Sequence, residues 1–512
     1  MRGPAWIALT MPLLAGCALR SAPPLPAEVI EQPPPPPPMA TLTVFVQPED
    51  AVITLDDREG IEGAVPIGGL SPGRHDLRVE RAGFEPVART LLLQPDIHLT
   101  TEVALPPLWH DVHLRSHPGG ATMSLLREGG GSLEVTAPWD GELPAGAWTV
   151  HAEIAAHDPD EASLFVDGEA DHFACLDPPG QLVDCVRVLE CGPGPKAVRF
   201  SPDGGELWTA LLGGPPSVQV YDTDGWQMTS SVDLAGHGTV ELEFSDDGSI
   251  AWASQMKTAS IWELDRVTKE PLRQLKSRSR WSKVIAKSAD RQRLFLSNWL
   301  GDNVSEIDLA TGEVVRKLRT VDTPRGLWPT PDGRQLYVAG FGDGRLDRID
   351  LETGGRETVY NGAVLRHLVG DAERGRLYIS DMRRGRICVL DLQTGEVSIL
   401  ARTEANPNTI DLSPDGRVLA VSCRSRNNPA SYHLPGPDWG TVLILDALTG
   451  EVLDAIVGGN QPTGLDISAD GRWLAVSDIL DNRIRVYGLP TTEELLAGSG
   501  GRRDVYRDEL RK

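Results

Sequence analysis

The chain has 512 residues, with 53 glycines, 40 prolines and a formal net charge of -24. That length exceeds one ordinary core and predicts two to four domains. The acidic balance excludes nucleic acid and anionic membrane surfaces as general partners, because both require a basic face.

The first twenty residues, MRGPAWIALTMPLLAGCALR, set one positive charge ahead of a short apolar run and then small residues. This predicts a secretory signal, since the run is too short and too proline-interrupted to cross a membrane as a helix. Within it, Leu14-Ala15-Gly16-Cys17 resembles the bacterial lipobox. The resemblance implies a signal peptide over 1–17, cleavage before Cys17 and lipidation of its thiol, an anchor that two or three acyl chains make firm. Ala18 stands where an aspartate would retain a lipoprotein in the inner membrane, so the implied location is the outer membrane. Residues 18–40 follow as a linker with six consecutive prolines. Polyproline II at about 3.1 Å per residue would make it a semi-rigid spacer of roughly 70 Å.

Residues 41–107 read as a small β-domain. TLTVFVQPEDAVITLDD alternates apolar and polar residues on both sides of a turn, which predicts a hairpin. LSPGRHDLRVERAGFEPVARTLLL predicts strand, turn and strand. The phrase returns with drift in 108–178, where Leu143-x-x-Gly146 matches Leu70-x-x-Gly73 and Ala156-His157 falls at the place of Gly83-Phe84. The first copy resembles a PEGA domain: Pro48-Glu49-Asp50-Ala51 stands at that family's naming motif, and Gly73 and Gly83-Phe84 at its later glycines. The resemblance implies a β-sandwich spacer or adhesion module without chemistry. His110, His113 and His117 are spaced too widely along a strand to share one ion, so no metal site is assigned.

Five cysteines remain beside Cys17. In an exported chain an odd number leaves at least one unpaired or bridging to another chain. Cys175 with Cys185, or with Cys191, would staple the domain junction, while Cys388 and Cys423 suit small buried apolar positions.

From 181 to 490 the pattern changes. Ser201, Ser245, Ser288, Thr330, Asp371, Ser413 and Ser468 open seven related phrases, spaced 44, 43, 42, 41, 42 and 55 residues apart. A period near 42 with four short strands predicts a seven-bladed propeller, with an insertion in blade six. The last unit supplies three strands, and QLVDCVRVLECG, ahead of the first, supplies the missing fourth. LFLSNWLGDNVSEIDLATGEVV and PTGLDISADGRWLAVSD resemble the YVTN or YncE-like propeller family, which implies the fold and no single function. The fold class is therefore all-β: a propeller preceded by one or two PEGA-like modules. The charged tail, 491–512, is expected to be a short helix or disordered.

Counting five residues back from each anchor names one residue per blade at the top of the axis: Lys196, Val240, Lys283, Arg325, Arg366, Asn408 and Thr463. Four of the seven are basic in an acidic chain. Either they receive an anion, or each is neutralised by a loop carboxylate such as Asp302, Asp343 or Asp381. Tyr432, His433 and Trp439 in the insertion, with Trp299, are expected to join the partner-binding face; the insertion could instead pack on itself as a cap.

No nucleophile elbow, P-loop or zinc motif is present in the sequence. His237 and His367 lie near the top without a recognisable partner, and the axial bases do not match the Glu, Asn and Asp of metal-dependent lactonase propellers. No catalytic residue and no cofactor is assigned. The expected function is a non-enzymatic, lipid-anchored envelope protein whose propeller engages a protein, glycan or anionic ligand. A propeller hydrolase or lyase and a purely structural envelope component are the alternatives.

Overall fold

In a computed structural model, residues 38–497 and 501–512 are described. Cys17 and most of the proline-rich linker lie outside them. The chain divides into two compact units, 1–108 and 109–512.

The first unit holds two sheets. One has the order Ile67–Leu70, Ala40–Gln47, His98–Ala104, and the other Arg58–Ile61, Val52–Leu55, Gly73–Glu80, Val87–Leu93. Leu42, Val44 and Val103 from one sheet share a core with Ile53, Leu55, Leu77 and Val79 from the other. The expected hairpin across residues 41–57 does not form. Ala40–Gln47 pairs antiparallel with Ile67–Leu70 and parallel with His98–Ala104, while Val52–Leu55 pairs in the second sheet. The alternation is the same in both cases, because a strand facing a shared core from the opposite sheet also buries every second residue.

The second unit begins with a module of identical strand order. Trp139–Pro144, Trp109–His117 and Ala170–Cys175 form its three-stranded sheet; Ser132–Thr136, Thr122–Arg127, Gly146–Glu153 and Asp160–Val166 form the four-stranded one. The equivalence reaches single residues. Gly73 and Gly146 both have φ +138°, and Gly83 (+80°) matches Ala156 (+62°). A positive φ explains glycine at Gly73, Gly146 and Gly83, and Ala156 keeps that conformation without one. This module is grouped with the remainder of the chain, to which a Cys175–Cys185 disulfide and the Asp177 carboxylate, accepting from the Cys185 N–H at 2.8 Å, tie it. Cys191, Cys388 and Cys423 are free thiols.

Between Asp184 and Gly488 the chain forms seven four-stranded antiparallel sheets. Their first strands are Pro195–Phe200, Glu241–Phe244, Ser282–Lys287, Pro324–Pro329, Leu365–Asp371, Pro407–Leu412 and Pro462–Ile467. Each touches the next, and the last touches the first, so these inner strands close a propeller-like ring. Asp184–Glu190 is the outer strand of the last sheet, paired with Arg483–Gly488.

The recurrent phrases hold the turns. Asp203 accepts from the Ser201 hydroxyl at 2.6 Å and from the Gly205 N–H at 3.1 Å, and the same contacts recur at Asp415 and Asp470. Asp308, Asp350 and Asp391 each accept from the N–H of a threonine three residues on. These side chains satisfy backbone groups that a tight turn leaves open.

The tail is ordered rather than disordered over its described residues. Helix Thr492–Ala497 buries Leu495, and Tyr506 is fully buried among residues of the sixth sheet, its hydroxyl donating to Glu404 at 3.0 Å.

Candidate anion site at the mouth of the ring

Lys196, Lys283, Arg325, Arg366, Asn408 and Thr463 each occupy the second position of an inner strand, and Val240 immediately precedes Glu241–Phe244. In six of the seven sheets the pairing register shifts at this place, as between Pro324 and Leu327. A bulge re-aims the side chain and frees backbone groups from the ladder. Serines of the second strands take up those groups. Ser297 accepts from the Val284 N–H at 3.0 Å and donates to the Arg325 carbonyl at 3.4 Å in the next sheet. Ser380 accepts from His367 and donates to the Asn408 carbonyl, both at 2.9 Å. Ser422 links Thr409 to the Thr463 carbonyl in the same way. Each clamp thus fixes the backbone of the next sheet's axial residue.

The four basic residues converge. Lys196, Glu241, Arg325, Arg366 and His367 line one narrow cavity inside the ring. A fifth cation, Arg424, acts on the same groups from the start of the insertion. Among the described residues, none of Lys196, Lys283, Arg325, Arg366 and Arg424 forms an ion pair with a carboxylate. The expected counter-charges are engaged elsewhere. Asp343 pairs with Arg345 at 2.7 Å, Asp381 with Arg386 at 3.2 Å, and Asp302 accepts from the Thr323 N–H at 3.1 Å. Neutralisation by those three loop acids is therefore not what the structure builds.

Burial makes this crowding costly. Arg325 is 3% exposed and Arg366 4%. Nε and Nη1 of Arg325, Nε of Arg424, Nδ1 of His367 and Oδ1 of Asn408 are buried without a hydrogen-bond partner. Desolvation, and then the neighbouring guanidinium groups, hold Lys196 well below its ordinary range, and Lys283 likewise. Burial pushes Arg325 and Arg424 down to about 10. His367 is pushed down to about 3 by burial and by Arg366 and Arg325, so its imidazole is neutral. Glu241 acts as an attractive charge on Lys283, Arg325 and Arg366, and burial raises its own proton affinity.

The other end of the same inner strands is built differently. Arg199, three residues after Lys196, pairs with Asp466 at 3.1 Å and Glu243 at 3.4 Å, and those acids raise its affinity for its proton. Asp466 also accepts from the Phe200 N–H at 2.7 Å, pinning one inner strand to another. The fold supplies carboxylates where a buried cation is structural and leaves the mouth with an excess of cations.

The aromatic expectations divide. Trp299 joins the site: the Lys283 Nζ lies 3.3 Å from its ring centroid, Arg325 stands 5.8 Å away, and Phe341 packs at 4.6 Å. Tyr432 is exposed, 5.9 Å from the Arg424 guanidinium, and His433 stacks on it at 3.9 Å. Its carbonyl accepts from Gln461 at 2.6 Å, which ties the insertion to the seventh sheet. Trp439 turns away from the expected role. Its N–H donates to the Leu510 carbonyl at 2.7 Å and Lys512 sits 4.5 Å above its ring, so the tail covers it. His237 contributes its backbone carbonyl, accepting from Ser217 and Gln255.

The counting rule from the anchors overlooked Arg424, which enters from the loop after a second strand, and Glu241, one residue beyond the counted Val240. The serine clamps had a visible signal: Ser254, Ser297, Ser380, Ser422 and Ser477 all lie nine residues after an anchor.

The chain is thus an all-β, propeller-like protein with an under-neutralised basic pocket on its axis. It belongs to the family of antigen Lp49 of Leptospira interrogans, to which it is 36% identical over 325 residues, covering 61% of this chain and 71% of that protein. No family model matches the sequence. A chain of Kuenenia stuttgartiensis hydrazine synthase resembles 59% of this chain over 97% of its own length, with a TM-score of 0.50 and 20% identity, a likeness of fold alone.

Proposed function

We propose that the protein is a lipid-anchored, non-enzymatic envelope protein that binds an anionic ligand, or an acidic group of a protein or glycan, at the mouth of its ring. In this reading Cys17 carries the lipid and the prolines form the stalk. One or two PEGA-like modules act as spacers, and a seven-bladed YVTN-type propeller presents the site. The carrying observation is the set of five converging cations without an ion pair, two of them nearly inaccessible to water. A chain of net charge -24 gains nothing from such a cluster unless an anion completes it. The name of the relative, an antigen, fits an exposed envelope location.

The test is binding of a fluorescent polyanion, such as dextran sulfate, to the full chain and to a double variant, Arg325→Ala with Arg366→Ala. The reading expects at least a tenfold loss of affinity in the variant. Equal binding by both proteins would overturn it. Membrane fractionation of Cys17→Ser checks the anchor, with release into the soluble fraction as the expected result.

A further inference from the structure

The mouth combines donors with the Glu241 carboxylate, and that combination selects among anions; Asp411 lines the same cavity but is engaged by the Ile467 N–H at 2.9 Å. Arg325 brings two unpaired nitrogens to a narrow cavity that Arg366 and Lys196 also line. A single carboxylate would neutralise one of five positive charges; a compact dianion with several oxygens answers more of them. Glu241 lines the same cavity, yet it forms no ion pair with any of the five cations among the described residues. An anion lying between it and the guanidinium groups would meet donors on one side and a carboxylate on the other. Glu241 repels a fully deprotonated oxyanion such as sulfate, but accepts a hydrogen bond from an oxyanion that keeps a proton.

We infer that the pocket receives inorganic phosphate as the hydrogen phosphate dianion, with Arg325, Arg366 and Lys196 on its charged oxygens and Glu241 accepting from its protonated one. This rests on the anion-binding reading above and narrows it. Hydrogen phosphate carries two charges and keeps one proton throughout the neutral range, whereas a phosphate monoester, losing its second proton near pH 6, has none left once it is a dianion. Guanidinium forks suit the geometry of phosphate. The lowered proton affinity of Lys196 and Lys283 agrees, since a dianion would restore their charge.

The test titrates the full chain calorimetrically with inorganic phosphate, glycerol phosphate, sulfate and vesicles containing phosphatidic acid, with dextran sulfate alongside. Inorganic phosphate should bind at least tenfold more tightly than sulfate and than either monoester. Tighter binding of glycerol phosphate or of the phosphatidic acid vesicles would overturn the hydrogen phosphate assignment. Glu241→Gln should collapse the phosphate-to-sulfate ratio below about threefold by improving sulfate, with the thermal midpoint checked to confirm folding. Sulfate and phosphate binding equally would overturn the hydrogen phosphate assignment and leave the anion reading standing, as would binding of dextran sulfate alone with loss in the Arg325→Ala, Arg366→Ala variant. Absence of binding in every arm would overturn both.

Discussion

Replacing Arg325 by methionine should stabilise the ligand-free protein. The side chain is 3% exposed, two of its nitrogens lack partners, and burial pushes its pKa from 12.5 to about 10. At about 1.4 kcal/mol per pH unit, holding the guanidinium charged costs roughly 3 kcal/mol near neutrality. Methionine keeps the unbranched shape and removes the charge and the unpaired donors. Replacement of buried charged groups by apolar ones of similar size is often stabilising by about 1–4 kcal/mol. Allowing for imperfect packing, the thermal midpoint of the full chain in Tris chloride should rise by roughly 2–6 °C. Added phosphate should then raise the wild-type midpoint and leave the variant unmoved, because only a ligand that binds the native state shifts it. A fall in the variant's midpoint without ligand would refute the reasoning, since it would mean that Arg325 holds the ring together.

Ser297→Ala removes the acceptor for the Val284 N–H and the donor to the Arg325 carbonyl; it should cost about 1–3 kcal/mol and weaken anion binding severalfold, read by denaturation and calorimetry. Tyr506→Ala should lower stability by about 3 kcal/mol in the same denaturation series, because the ring is fully buried and its hydroxyl is engaged by Glu404. His117 is pushed down to about 3 by burial, Arg485 and Arg483. The unfolded chain therefore binds this proton first, and stability is present above pH 6.5 and lost on acidification. The loss approaches about 1.4 kcal/mol for each pH unit between the unfolded value and the native one. His117→Gln should flatten that part of a midpoint-against-pH curve relative to wild type.

Most of the ring was legible because a repeated turn needs the same side chains each time. The serine and aspartate of SPDGRVLAVS satisfy backbone groups that any sequence would have to satisfy, so they recur and can be counted. The four axial cations followed from that count. What escaped it depended on contacts between distant parts of the chain. Arg424 reaches the mouth from an insertion that breaks the period. Trp439 resembled a free aromatic in a binding loop, but its environment is set by Leu510 and Lys512 from the tail. The hairpin expected across residues 41–57 failed because alternation reports which face is buried and not which strand is the neighbour.

The central claim is that the mouth of the ring is a site awaiting an anion, and diffraction can test it directly. Crystals of the full chain soaked near neutral pH in arsenate, a tetrahedral dianion that keeps one proton and has an anomalous signal, should show one strong peak between Arg325, Arg366 and Lys196. The peak should be absent from crystals of the Arg325→Ala, Arg366→Ala variant. A wild-type mouth filled by water alone at the same soak, with the guanidinium groups turned to protein carboxylates, would contradict the account.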